Sequence, residues 1–369
     1  MPDQPVVSVI VLVTESTARL RRCLASIFGN ADGRALEVLV VANGTSDEQL
    51  AWLTERDDIV LLRAAVNLGF GDGCRWAVET ARSERFLFMN DDAVATGGWL
   101  DALNRALEDD ERIGVAGSRV LLANGTLQEA GAVIWSDGTT SGVGRGMSPG
   151  HARFQATRDV DYVSFCSAMV RRATWEEVGG FDPRYFPAYY EDADFCCAAR
   201  LRGWRVVVAA GSTVLHDEGA SAGAGFRDFL KRRNRRLFVN KWRSLLDAQE
   251  PRPRLAHGQG SVARALGRHK ASAGVPVYNA TLLEAATVAP AAGAGPGTVD
   301  GELRYLRRLL DLQTEYSHSL DAQLASLTAA SVIRHQYRAL RGLGGRFLRR
   351  HPRLSDRVRS LVVSVGNGG

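Results

Sequence analysis

Within its first hundred residues the chain alternates short apolar runs with stretches of helical spacing, and that alternation limits its fold more than any other feature. Residues 6–13 (VVSVIVLV) form a β-branched run of strand type, residues 36–41 a second, and residues 59–62 a shorter third. Phe86, Leu87, Phe88 and Met89 make a fourth. Four apolar residues in succession are too few for a helix and fit a strand buried on both faces. Between these runs, Ser16 or Thr17 can cap a helix carrying Leu20, Cys23, Leu24 and Ile27. Another helix precedes 59–62, and Asn67-Leu-Gly-Phe-Gly-Asp-Gly73 opens one through Cys74 to Ala81. The pattern predicts an α/β fold, a mostly parallel sheet with right-handed crossovers and helices on both faces.

The fourth run leads straight into Asn90, Asp91 and Asp92. Ligands of open α/β sheets bind beyond the carboxyl ends of the strands. Two adjacent carboxylates there attract a hard divalent cation, which in turn attracts a diphosphate. A solvated turn in which Asp caps the next helix accounts for the same three residues. A dinucleotide-binding fold would need G-x-G-x-x-G after the first strand. Here that turn is Thr14-Glu15-Ser16, and Gly69, Gly71 and Gly73 have the wrong spacing and position.

At 369 residues, 45% hydrophobic and 24% charged, the chain is long enough for one large or two smaller domains with a full core. No apolar run approaches the length of a membrane span. The first strand starts almost at Met1, which leaves no room for a signal peptide and predicts a cytoplasmic location. The five cysteines are odd in number, lack C-x-x-C spacing and suit a reducing compartment as small apolar side chains. The Asn-x-Thr triplets at Asn43, Asn124 and Asn279 then read as turns.

After Gly114 the pattern changes to short β-like pieces (115–122 and 132–135) separated by Asn124-Gly125, Asp137-Gly138 and a glycine-rich stretch to Gly150, which predicts antiparallel ribbons. Residues 165–170 form a further strand, and Arg172 opens a short helix ending at Gly179-Gly180. An aromatic loop with Tyr185, Phe186, Tyr189 and Tyr190 leads into Glu191 and Asp192 at the start of a helix through Leu201. Acids there complement the helix dipole while the aromatics pack, and Asp194 is expected to do no more than that. Residues 205–209 and 212–215 are expected to be two short strands, the second ending at His216, an imidazole suited to manganese-like cations.

Taken in order, the opening buried strand, Asn43-Gly-Thr-Ser-Asp47, Asn67-Leu-Gly-Phe-Gly71, Asn90-Asp-Asp92, Gly179-Gly-Phe-Asp182, Tyr190-Glu-Asp192 and Leu215-His216 resemble family-two glycosyltransferases of the GT-A fold. The resemblance is particularly to the bacterial cell-surface polysaccharide and rhamnosyltransferase-like branch, and covers roughly residues 5 to 245. The resemblance implies that Asn90-x-Asp92 stands at the D-x-D site with Asp92 on a divalent cation (Mn2+ or Mg2+) and that His216 completes the metal site. It implies Asp192 as general base, with Glu191 orienting it or binding acceptor hydroxyls. Donor-binding positions would be Thr14, Glu15, Asn43, Asp47, Asn67, Gly69, Asn90 and Asp91. Three residues depart from the family pattern: Ala42 replaces an acid that contacts base or ribose, Asn90 the first Asp, and Glu15 an Asn or Asp region. The implied activity is inverting transfer of a sugar from a nucleotide-sugar donor to a hydroxyl of a cell-envelope glycan or polyprenyl-linked acceptor. The chemistry fits: an anionic diphosphate leaves, so a cation must neutralise it, and the attacking hydroxyl must lose its proton to one carboxylate. Two rivals remain, a nucleotidyltransferase (which usually has a Gly-rich basic loop after its first strand) and a catalytically silent carbohydrate-binding or scaffold protein.

The net charge of +5 is unevenly spread. A helix over 225–246 carries Lys231, Arg232, Arg233, Arg235, Arg236, Lys241 and Arg243 among Phe229, Leu237, Phe238 and Trp242. It fits either a solvated basic face or a surface for anionic lipid headgroups or a pyrophosphate-linked acceptor. Nucleic acid is a poorer reading, and no nucleic-acid partner is expected, because no recognised binding motif accompanies the charge. These features divide the chain into a catalytic domain (1–248), a Pro/Ala/Gly-rich linker (249–300) and a basic helical extension (301–369). In the extension, Leu309, Leu312, Tyr316, Leu320, Leu324 and Leu327 recur at helical spacing and suit docking or a homo-oligomer through 301–330. The arginine-rich tail suits peripheral attachment to the inner face of the plasma membrane or a docked appendix equally.

Overall fold

The computed structural model describes residues 5–14, 17–217, 224–252 and 299–343. The expected capping residue Ser16, the donor candidate Glu15, almost all of the linker and the arginines after residue 343 lie outside them. The chain forms two units, 1–306 and 307–369.

The predicted alternation is present. Strands β1 (Val7–Val13), β2 (Leu36–Asn43), β3 (Val60–Ala64) and β4 (Arg85–Asn90) are joined by helices α1 (Thr17–Gly29), α2 (Asp47–Thr54) and α3 (Gly69–Thr80). They pair in parallel in the order β3-β2-β1-β4. After the short β5 (Ala93–Ala95) and α4 (Trp99–Asp109) come β6 (Ile113–Leu121), β7 (Leu127–Glu129), β8 (Ala132–Ile134), β9 (Thr140–Gly142) and β10 (Arg158–Asp159). The remaining elements are β11 (Ser167–Arg171), α5 (Arg172–Val178), α6 (Glu191–Leu201), β12 (Arg205–His216), α7 (Ala224–Leu246) and α8 (Val299–Leu343). Antiparallel β11 joins β4 to β6, and β12 runs parallel to β6, so the sheet continues as β4-β11-β6-β12-β10. Six long strands therefore point their carboxyl ends to one edge, with β11 alone reversed among them.

Two expectations change. The piece expected at 115–122 is not a peripheral ribbon but β6, a buried strand inside the main sheet; only β7 and the separate β8-β9 pair are ribbon-like. The two strands expected at 205–209 and 212–215 are one strand, β12, whose pairing with β6 shifts register between Val208 and Thr213. The small residues Ala209, Ala210 and Gly211 mimic a break, but Gly211 sits where an added Cβ would stand 3.0 Å from Ala102, close against α4.

The strand period of two sorts side chains between two cores. Phe86 and Phe88 of β4 face α3, α5 and α6, joining Phe165, Trp175, Phe181 and Phe195. Leu87 and Met89 face α1 and α4 with Leu20, Leu24, Trp99 and Leu103. Burying a side chain of this size contributes about 1.5–3 kcal/mol. Helix α7 adds Phe238 and Trp242 to the first core. Its Lys241 is not on a solvated face as expected: it is buried and bonded to Asp182 at 2.9 Å and Asp194 at 2.7 Å. No helix among the described residues is long and apolar enough to cross a membrane.

Candidate active site

Strand pairing brings Asp92 to His216. Asp92 lies just beyond β4, and β5 pairs antiparallel with the end of β12 in a register that sets Ala93 opposite His216. The residue before Ala93 is thereby carried onto the imidazole, and Asp92 Oδ1 stands 3.2 Å from His216 Nε2. That oxygen is buried and takes part in no hydrogen bond. On the far side of the ring, His216 Nδ1 is 2.9 Å from Gln128 Oε1. Burial opposes an imidazolium here, but Cys166 and Asp92 outweigh it and raise His216 to about 11. Burial and the adjacent Asp92 raise Asp91 to about 7. The pocket therefore favours a positive charge beside Asp92. Among the described residues no three His, Cys, Asp or Glu side chains converge to hold a metal ion by themselves.

The acids of α6 approach from the other core. Tyr189 and Tyr190 precede them with φ of 78° and 75°, a left-handed turn that side chains with a Cβ rarely adopt. Asn234 of α7 stabilises it: its Nδ2 donates to the carbonyls of Tyr185, Ala188 and Tyr189 at 3.0, 2.9 and 2.9 Å. Glu191 is buried with Oε2 unpartnered, and burial together with Asp192 pushes its carboxyl well above the usual range. Asp192 is partly exposed and accepts from the Ala193 backbone N–H at 2.7 Å; burial raises it only to about 6, the backbone donors opposing. Glu129 lies in the same field, raised to about 7 by burial and by Asp192.

At the ends of β1 and β2, much of the polar capacity holds the backbone. Buried Asn43 accepts from Leu68 N at 2.7 Å and donates to Gly69 O at 3.2 Å, while Asn67 accepts from Gly69 N at 2.8 Å. Gly69 has φ 74°, and a Cβ there would stand 2.8 Å from both the Phe186 ring and Pro187 O. Only glycine lets α3 begin this close to the aromatic loop.

The sequence model of the glycosyltransferase like family 2 matches residues 3–238, nearly two thirds of the chain. The chain belongs to that family. Among its relatives, the O-antigen biosynthesis protein RfbC of Myxococcus xanthus is 31% identical over 231 residues, 60% of this chain and 18% of RfbC. An N-acetylglucosaminyl-diphospho-decaprenol L-rhamnosyltransferase of Mycobacterium tuberculosis is 28% identical over 239 residues, 58% of this chain and 77% of its own. The chain spans less than a third of the length of the first curated relatives it matches. A crystal structure of GalNAc-T7 with UDP, GalNAc and Mn2+ shares the fold with TM-score 0.54 at 12% identity, covering 67% of this chain and 50% of that one. The mixed sheet is thus of the GT-A type expected from the motifs.

Within this family 2 fold the residues singled out by sequence occupy distinct settings. Asp91, Asp92 and His216 share one charged pocket, and Glu191 and Asp192 open α6. Thr14 and Asn90 end β1 and β4, both partly exposed. Asp47 is an exposed residue in the first turn of α2, ion-paired with Arg63. Asp194 corrects a sequence expectation. Rather than only facing a helix dipole, it is a buried hub accepting from Tyr185 Oη at 2.9 Å, Trp242 Nε1 at 2.7 Å and Lys241. Sequence reasoning missed Gln128 and Glu129. Nothing but a short β-like run marks them, and what turns them toward the site is a pairing irregularity that composition does not record.

Proposed function

We propose that this chain transfers a sugar from a nucleotide-sugar donor to an acceptor hydroxyl with inversion, using a divalent cation. The observation that carries the reading is buried, unbonded Asp92 Oδ1 at 3.2 Å from His216 Nε2. Asp92 and His216 would together hold one Mn2+ or Mg2+. With these two protein ligands among the described residues, the site would leave positions for phosphate oxygens. When bound, the cation would neutralise the diphosphate as it leaves.

The remaining work falls to side chains of this chain. Asp192 is partly exposed with its carboxyl raised by burial to about 6, while Glu191 is buried and its carboxyl is pushed well above the usual range by burial and by Asp192. Two carboxyl groups whose environments separate their protonation divide into base and non-base. Asp192 takes the proton from the acceptor hydroxyl, and a single attack of this kind inverts the anomeric centre. Glu191 orients Asp192 or an acceptor hydroxyl. The polar groups at the ends of β1, β2 and β4 (Thr14, Asn43, Asp47, Asn67, Asn90, Asp91) and Glu15 form the donor side, with Gly69 giving close backbone approach. The names of RfbC and the rhamnosyltransferase favour a cell-envelope glycan or polyprenyl-linked acceptor, met at the cytoplasmic face of the membrane through the basic C-terminal extension.

Incubation with a panel of nucleotide sugars and Mn2+ tests the reading. Release of a nucleoside diphosphate from one donor, abolished by chelator, is expected. Pyrophosphate release would instead indicate a nucleotidyltransferase, and no turnover with any donor a binding protein.

A further inference from the structure

Strand β7 is bulged. Its pairing with β6 sets Val120 opposite Glu129 and Leu121 opposite Leu127, which leaves Gln128 as an extra residue. A bulge of this kind re-aims side chains and is over-represented beside active sites. Here it delivers Gln128 to the back of the His216 ring, at 2.9 Å from Nδ1. The amide is held only partly exposed, on a strand whose preceding residue, Leu127, is fully buried in the small core of Ala130, Val133, Trp135 and Phe154.

The chemistry of the ring decides which atom donates. Nε2 faces a buried carboxylate oxygen at 3.2 Å, and two lone pairs would repel at that distance. Something positive must lie between them, either a proton on Nε2 or a cation bound to it. A cation on Nε2 leaves the hydrogen of the ring on Nδ1, where Gln128 Oε1 accepts it.

We propose that Gln128 is a positioning residue that holds the ring plane of His216 through Nδ1, so that Nε2 and Asp92 Oδ1 are presented together to a divalent cation. This rests on the metal-site reading above. Partners of this kind behind a ligating histidine change metal affinity by about 10–100-fold.

The test uses the full chain and three variants. Gln128→Leu keeps the bulk and removes the acceptor, Gln128→Glu keeps an acceptor, and His216→Ala removes the ligand. Mn2+ binding is measured by electron paramagnetic resonance in the presence of UDP, GDP and dTDP together. Gln128→Leu is expected to bind Mn2+ about 10–100-fold more weakly, with Gln128→Glu restoring the affinity. If Gln128→Leu matches the wild type in affinity, or Gln128→Glu fails to restore it, the proposal is overturned while the metal site stands. If His216→Ala binds as tightly as the wild type, the metal-site reading itself fails and takes this one with it.

Discussion

Glu191 and Asp192 are adjacent at the start of α6, so their side chains leave the axis about 100° apart and only one can face an anomeric carbon squarely. Replacing Asp192 by Asn keeps size and most hydrogen bonding but removes the proton acceptor. Transfer should fall by about 10²–10⁴-fold, with nucleotide and metal affinity nearly unchanged in binding assays. Glu191→Gln should be milder and raise the acceptor KM. Retention of transfer in the first variant with its loss in the second would reverse the roles. A base with its pKa near 6 also sets the pH profile. Below that value the carboxyl is protonated, so kcat/KM should rise about tenfold per pH unit and level off above it; a rate that falls across this window would contradict the assignment. At this scale the sequence was informative wherever strand ends converge, as for Asp92 and His216. It was silent on Asp194 and Lys241, whose partners lie far along the chain, so a buried ion network looked like ordinary dipole and surface charge.

The elements explain why α7 belongs to the catalytic fold rather than to an appendix. Its Asn234 secures a left-handed turn just before Glu191, while Lys241 and Trp242 anchor the same loop and helix through Asp182 and Asp194. Asn234→Ala leaves three carbonyls without this donor, a loss of about 1–3 kcal/mol in denaturant unfolding. Misplacing the head of α6 should also lower kcat, by up to about 10²-fold, while donor affinity measured by calorimetry holds. Equal losses in both would point to general unfolding instead. The parallel half of the sheet was legible because β-branched runs and helical spacing alternate cleanly there. The second half was not: β6 resembles an edge ribbon in composition, small residues in β12 imitate a turn, and the bulge in β7 leaves no trace in composition.

Across the molecule, part of the charge of α7 is engaged within the fold, since Lys241 is buried and Arg235 pairs with Asp137, while Lys231, Arg232, Arg236 and Arg243 are exposed. Further arginines follow in the sequence toward the C-terminus, at Arg346, Arg349, Arg350, Arg353, Arg357 and Arg359. Removing residues 344–369 spares the tilted ring contact of Tyr305 with Phe186 and should weaken binding to anionic vesicles while donor hydrolysis persists. Because the attraction is screened, with a Debye length of about 8 Å at 0.15 M salt and 3 Å at 1 M, binding of the intact chain should fall steeply as salt rises. Vesicle binding that is absent or insensitive to salt would favour a docked extension. The central claim is that the fold joins the ends of β4 and β12 to make a cation site for the donor diphosphate. Calorimetric titration of nucleoside diphosphates into wild type and Asp92→Ala, each with Mn2+ and with chelator, tests it most directly. The account predicts that chelator abolishes wild-type binding and that Asp92→Ala behaves as chelated protein while unfolding normally; binding unchanged by both would contradict it.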